Sequence, residues 1–246
     1  MLNAVIVKRV EISPGHFLVH VRPDFQIPDF EPGQYVALGL PLEGEGDPKV
    51  VKRSYSIGSP PDEKRYLEFY IAVVLSGILT PSLGRLKVGE KLWIAPKITG
   101  KFEAHEVPSQ ENLILVATGT GIAPYMSMLR TPKLWTPNRK IKLLHGVRYS
   151  CDLAYQNELL AFAEKIPNFT YFPIISRDDP NWHGHKGYVQ SFFERGIITS
   201  DPLMDNIFMC GNPSMIDQVT KLLEPRGFSI RNKRNPEGKL HLEKYW

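Results

Sequence analysis

The sequence predicts two domains of different class: an antiparallel β-barrel over residues 1–108 and an α/β domain with a parallel sheet over residues 109–246. Three observations carry this. Short runs rich in β-branched and aromatic residues recur as far as residue 96, separated by turn signals. From residue 113 the apolar runs become continuous and alternate with helix-like stretches. A chain of 246 residues is also long enough for two domains of ordinary size.

The expected barrel strands are 4–12, 17–23, 34–40, 49–57, 66–74 and 91–96. Between them stand Ser13-Pro14-Gly15, Glu31-Pro32-Gly33, Gly44-Glu45-Gly46 and Ser59-Pro60-Pro61, which favour turns through proline's fixed φ and glycine's freedom. The polar stretch 108–112 marks the boundary. Beyond it, 113–118, 141–147, 169–176 and 206–211 read as buried parallel strands, and 155–165 and 214–223 have helical spacing of apolar positions. Ligands of such sheets bind at the carboxyl ends of the strands. That rule points to 118–124, 147–151, 176–179 and 210–215 before any motif is considered.

Composition narrows the function. The apolar fraction of 42% and charged fraction of 23% are those of a globular protein. The opening residues lack the pattern of a signal peptide, and no stretch approaches the ~20 apolar residues of a membrane span, so a cytoplasmic protein without membrane contact is expected. The two cysteines, Cys151 and Cys210, are too few for an iron–sulfur cluster, which takes about four. No pattern with metal-ligand spacing appears. The net charge of +4 is mild, and no basic stripe interleaved with aromatics suggests nucleic acid.

Two segments carry chemistry. Thr118-Gly119-Thr120-Gly121-Ile122-Ala123-Pro124 follows a buried strand and opens a helix at 125–129, the setting in which glycines let a backbone approach a pyrophosphate. It departs from the dinucleotide fingerprint, because Pro124 stands where a third glycine belongs. Arg53-Ser54-Tyr55-Ser56 ends a barrel strand. An arginine fork suits a phosphate, a tyrosine can lie on an aromatic ring, and a serine hydroxyl on the arginine's face can donate to a ring nitrogen. Either segment alone is also what a tight turn or an exposed strand end looks like.

Together, in this order, they resemble the bacterial ferredoxin/flavodoxin–NADP⁺ reductase family from about residue 5 to residue 246. Gly77-Ile78-Leu79-Thr80 is similar to that family's second flavin segment, and Cys210-Gly211-Asn212-Pro213 to its last nucleotide segment. The resemblance implies that Arg53 binds the FAD pyrophosphate, that Tyr55 packs on the isoalloxazine, and that Ser54 and Ser56 complete the motif, with Ser56 near N5. It implies that Tyr70 and the backbone of Ile78, Leu79 and Thr80 hold the ribityl and phosphate portion. Thr120 is placed at the flavin–nicotinamide junction, and Tyr245 and Trp246 cover the flavin, which implies FAD rather than FMN. Ser56 and Tyr245 are the implied catalytic positions. For NADP(H) it implies Thr118, Gly119, Ser176, Cys210, Gly211 and Asn212, with Arg148 and Arg177 on the 2′-phosphate. Lys186 stands near where the family has a third arginine.

The implied activity is exchange of hydride with NADP(H) and of single electrons with a separate acidic carrier, ferredoxin or flavodoxin, by a monomer. Arg226, Arg231, Lys233 and Arg234 are candidate docking charges. Other readings are a reductase component feeding an oxygenase, a free-flavin reductase, or a non-catalytic redox sensor or relay subunit. A relay has no need of cations for a 2′-phosphate. His145, on a core strand, reads as a satisfied histidine, and Cys210 as a packed thiol.

Overall fold

A computed structural model of the chain describes residues 1–42 and 49–245; the expected turn at Gly44-Glu45-Gly46 and the terminal Trp246 lie outside them. The described residues form two compact units. One is Met1–Ala104 with Ala123–Pro132, and the other is His105–Ile122 with Lys133–Trp246.

The first unit holds β1 (Ala4–Ser13), β2 (His16–Pro23), β3 (Tyr35–Leu42), β4 (Lys49–Ser56), β5 (Leu67–Ala72), the short helix α1 (Thr80–Leu83) and β6 (Lys91–Ile94). They make a six-stranded antiparallel sheet in the order β4-β3-β6-β1-β2-β5. Strand alternation explains the wrapping. Phe17, Val19 and Val21 of β2 face inward, as do Val36, Leu38 and Leu40 of β3 and Leu67, Phe69 and Ile71 of β5, around one core to which all six strands contribute. Burying a side chain such as Phe17 or Phe69 contributes about 1.5–3 kcal/mol. The Gly58 N–H donates to the Glu68 carbonyl at 2.8 Å, tying the segment after β4 to β5.

β5 is buried from Leu67 to Ile71 because its second face is covered too. The cover is the helix α2 (Ala123–Leu129), all seven of whose residues are buried. The Ser127 hydroxyl donates to the Ser59 carbonyl at 2.7 Å. The Arg130 guanidinium donates to the Gly58 carbonyl at 2.9 Å and the Glu68 carboxylate at 2.7 Å.

In the second unit the main-chain order is β7 (Asn112–Thr118), β8 (Ile141–Val147), α3 (Gln156–Lys165), β9 (Phe169–Ile175), β10 (His185–Lys186), α4 (Ser191–Glu194), β11 (Asp205–Gly211), α5 (Pro213–Leu223) and β12 (Leu240–Lys244). The sheet order is β10-β9-β8-β7-β11-β12 and every ladder in it is parallel. Parallel strands covered on both faces should be apolar throughout, and every residue of β11 is buried. α5 starts on a built cap: Pro213 opens the helix, and the Asn212 side chain accepts the Ser214 N–H at 2.8 Å. Its Ile216, Val219 and Leu223 enter the core at helical spacing.

Candidate functional site

In the first unit the Arg53-Ser54-Tyr55-Ser56 segment closes β4, paired to β3 in the register Leu38↔Arg53, Val36↔Tyr55 and Tyr35↔Ser56. Residues that face one another across a ladder share a side of the sheet. Arg53 and Tyr55 are therefore on the side of Leu38 and Val36, and Ser54 and Ser56 are on the other. This corrects the expectation that a serine hydroxyl shares the arginine's face: the strand period is two, and the serines are one and three positions from Arg53.

Tyr55 packs edge-on against Phe69, with centroids 6.5 Å apart at 73°. Its hydroxyl is buried and has no hydrogen-bond partner among the described residues. Burial pushes its pKa up to about 12, against the opposing effect of the Arg53 charge. Arg53 is exposed, and among the described residues its guanidinium donates to the neighbouring Lys52 carbonyl, at 2.7 Å, and to no other group, which leaves the fork open to an anion. Ser56 is buried and Ser54 exposed.

The second expected segment is a compact turn. The Gly77 N–H donates to the Val74 carbonyl at 2.8 Å. The Thr80 hydroxyl accepts from the Val74 N–H at 2.9 Å and donates to the Val74 carbonyl at 3.2 Å. Leu79 is in the core of the first unit and Ile78 is exposed, so what Leu79 can offer a ligand is backbone. Amides at a helix start have no intrahelical acceptor, and those of Leu79 and Thr80 stand at the start of α1. Tyr70 is buried at 3% exposure, and its ring meets that of His16 at a tilt.

In the second unit two strand ends interlock. The Thr118 hydroxyl accepts the Asn212 N–H at 2.8 Å. Gly211 has φ +130°, and a Cβ there would fall 2.3 Å from the Thr118 hydroxyl oxygen. A Cβ on Gly121 would fall 2.2 Å from the Cys210 carbonyl. These two glycines let the β7 and β11 loops touch, a use the sequence pattern did not separate from ligand binding. Gly119 differs: its φ is +53° and the space where its Cβ would lie is open. The helix opens earlier than the expected residue 125: Gly119–Ile122 forms a 3₁₀ turn that leads directly into α2 at Ala123.

The chain end joins this cluster. The Tyr245 N–H donates to the Gly211 carbonyl and its hydroxyl to the Thr120 carbonyl, both at 3.2 Å. Cys210 is fully buried, its thiol lies 3.7 Å from a Glu243 carboxylate oxygen, and burial raises its pKa well above the usual thiol value. It is a packed thiol, not a nucleophile. His145 is buried as well, between the Tyr171 hydroxyl and the Gly119 carbonyl, each at 3.3 Å. A carbonyl only accepts, so Nε2 carries the proton and Nδ1 accepts from Tyr171. Burial lowers its pKa to about 4, so it is neutral near pH 7 and supports the Gly119 turn.

At the carboxyl ends of β8 and β9 the cations gather as the fold rule anticipated. The Ser176 N–H donates to the Val147 carbonyl at 2.9 Å and the Arg177 N–H to the Arg148 carbonyl at 3.0 Å. The Ser176 hydroxyl also reaches the Val147 carbonyl, at 3.3 Å. Arg148 and Arg177 are exposed, and among the described residues neither has a carboxylate partner. Lys186 ends β10 beside Ile175, and its amine is 3.7 Å from Asp178. The strand-end rule reached the segment 176–179 but assigned no role to Asp178, nor to Asp179, which accepts the Ser150 N–H at 3.0 Å and hydroxyl at 2.5 Å.

Of the docking candidates, Arg231 pairs with Glu106 at 3.0 Å and Arg226 donates to the Phe193 carbonyl at 3.3 Å. Lys233 and Arg234 are exposed without a carboxylate partner among the described residues.

The chain matches two family models, an oxidoreductase FAD-binding domain over residues 4–103 and an oxidoreductase NAD-binding domain over residues 115–221. It is 32% identical, over a 255-residue alignment, to a flavodoxin/ferredoxin–NADP reductase of Buchnera aphidicola subsp. Baizongia pistaciae, covering 100% of this chain and 98% of that one. It is 31% identical over 227 residues to a ferredoxin–NADP reductase of Azotobacter vinelandii, covering 87% and 86%. Its fold matches that of a Neisseria gonorrhoeae ferredoxin NADP⁺ reductase solved with bound FAD and NADP, with a TM-score of 0.85, 22% identity, and coverage of 98% and 97%.

Proposed function

The chain belongs to the ferredoxin/flavodoxin–NADP reductase family, and from that premise we propose that it is an FAD-dependent enzyme exchanging hydride with NADP(H) and single electrons with a separate ferredoxin or flavodoxin. The observation that carries the flavin part is the buried, unpartnered Tyr55 hydroxyl beside the open Arg53 fork. A buried polar group without a partner costs about 1–3 kcal/mol, and a polar ligand atom there would recover it. The residues thus fit the cofactor.

In this reading residues 1–108 form the FAD domain and 109–246 the NADP domain with its flavin-covering tail. Arg53 binds pyrophosphate and Tyr55 packs on the ring. Tyr70 and the backbone of Ile78, Leu79 and Thr80 flank the ribityl and phosphate groups. Ser54 and Ser56 complete the strand end; their assignment rests on the motif and not on strand alternation. Thr120, Tyr245 and Trp246 are assigned to the flavin's cover. Thr118, Gly119, Cys210, Gly211 and Asn212 hold the nicotinamide half. Ser176, Arg148, Arg177 and Lys186 hold the 2′-phosphorylated ribose, a role supported by two arginines at adjacent strand ends that have no carboxylate partner among the described residues.

FAD, when bound, supplies the capacity to take a hydride and release electrons one at a time. The chain's own contribution is to bind and orient. Lys233 and Arg234 are the docking charges without a carboxylate partner among the described residues, and an acidic carrier would meet them. No described helix is long and apolar enough to cross a membrane. Free Cys151 and Cys210 suit a reducing compartment, and we place the enzyme in the cytoplasm as a monomer.

The test is electron transfer from NADPH to a panel of ferredoxins and flavodoxins at several salt concentrations. Transfer that slows as salt rises supports a charge-steered carrier. Reduction by NADPH without transfer to any member of the panel overturns the carrier assignment and favours an oxygenase component or a free-flavin reductase.

A further inference from the structure

The segment that carries Lys186 is tied shut. Asp179 accepts the Ser150 N–H at 3.0 Å and the Asn181 N–H at 3.0 Å. The Trp182 N–H donates to the Asp179 carbonyl at 3.1 Å, and its indole donates to the His185 carbonyl at 2.8 Å. The indole ring packs on Val147, Leu153 and Ile175. Gly184 lies so close over that ring that a Cβ would fall 2.5 Å from it. His185 and Lys186 then join β9 in register with Ile174 and Ile175. The two mouths of this closed segment are residues 178 and 186, and the Asp178 carboxylate stands 3.7 Å from the Lys186 amine. Asp178 is fully exposed, and Lys186 is its ion-pair partner among the described residues.

We propose that Asp178 is a specificity-determining residue that opposes the 2′-phosphate of NADP(H) at the cluster of Arg148, Arg177 and Lys186. The inference rests on the nucleotide reading given above. A phosphate monoester carries about −1.5 to −2 charges at neutral pH. To use Lys186 it must share that amine with a carboxylate beside it, and like charges repel. The unphosphorylated nucleotide offers a 2′-hydroxyl instead, and a carboxylate is a natural acceptor for it. Asp178 therefore acts in opposite senses on the two nucleotides and narrows the preference below that of three unopposed cations. Because both groups are solvated, the effect is modest, about two- to fivefold.

The test is calorimetric titration of 2′,5′-ADP and of 5′-AMP into the FAD-loaded protein. Asp178→Asn should tighten 2′,5′-ADP about threefold, with the gain shrinking as salt rises, and should leave 5′-AMP equal or weaker. Asp178→Glu should restore the wild-type ratio. A wild-type protein that prefers 2′,5′-ADP, with Asp178→Asn unchanged in ratio, overturns the role of Asp178 alone. A wild-type protein that binds the two ligands equally, or neither, overturns this role and the 2′-phosphate reading together.

Discussion

The Arg177 N–H donates to the Arg148 carbonyl at 3.0 Å. That bond extends the β8–β9 pairing one step beyond the strands and brings two arginines side by side without a carboxylate partner among the described residues. Replacing either by leucine should weaken 2′,5′-ADP about tenfold, the scale of one charge-assisted hydrogen bond. Binding of 5′-AMP, measured by the same titration, should stay within about twofold.

Tyr55→Phe removes a buried hydroxyl that has no partner among the described residues. Losing an unsatisfied group is neutral or favourable, so the protein stripped of flavin should melt at the same temperature or slightly higher. The flavin-loaded protein should lose stability, and FAD affinity should fall about five- to tenfold. Paired melting curves and equilibrium dialysis check both halves.

Gly211 and Gly119 should respond differently to alanine. At Gly211 a Cβ would meet the Thr118 hydroxyl oxygen at 2.3 Å and its carbonyl at 2.8 Å, with φ at +130°. Gly211→Ala should cost about 3 kcal/mol or more. At Gly119 the space is open and the left-handed φ of +53° is the main penalty, so Gly119→Ala should cost about 1–2 kcal/mol. Urea unfolding curves separate the two.

Stability should fall on acidification between about pH 6.5 and pH 4. The folded His145 has a pKa lowered to about 4 by burial, while the unfolded one keeps the ordinary 6.5. In that window the unfolded chain binds a proton that the fold refuses, so stability is complete above pH 6.5 and is lost as pH drops. The loss is on the order of 3 kcal/mol for this residue. His241, lowered to about 3 by burial and the nearby Arg231 and Lys239 charges, adds to it. Urea midpoints at pH 7 and pH 5 should differ in the native protein and differ less in His145→Asn.

The strands and the two long helices were legible because their periods of two and 3.6 run long enough to be read, as in β2 and α5. The short elements were not. β10 is two residues long and exists because Trp182 pins its loop, which no periodicity records. β12 is a parallel edge strand whose pairing with β11 depends on residues some thirty positions away. The cations at Arg148 and Arg177 followed from the rule for strand ends. Asp178 lies within the same rule's segment 176–179, but its role did not follow, because its meaning is a distance to Lys186. The division of labour among Gly119, Gly121 and Gly211 was equally hidden, since a glycine that admits a neighbouring loop and one that leaves open space look alike in a sequence.

The central claim is that the Arg53–Tyr55 strand end holds a flavin that a nicotinamide nucleotide reduces. Its most direct test is the visible spectrum of the purified protein, followed under anaerobic rapid mixing with NADPH and with NADH. The expected result is a yellow protein that bleaches with NADPH, and faster than with NADH. A protein that is colourless and does not take up added FAD, or a yellow one that neither nucleotide bleaches, would contradict it.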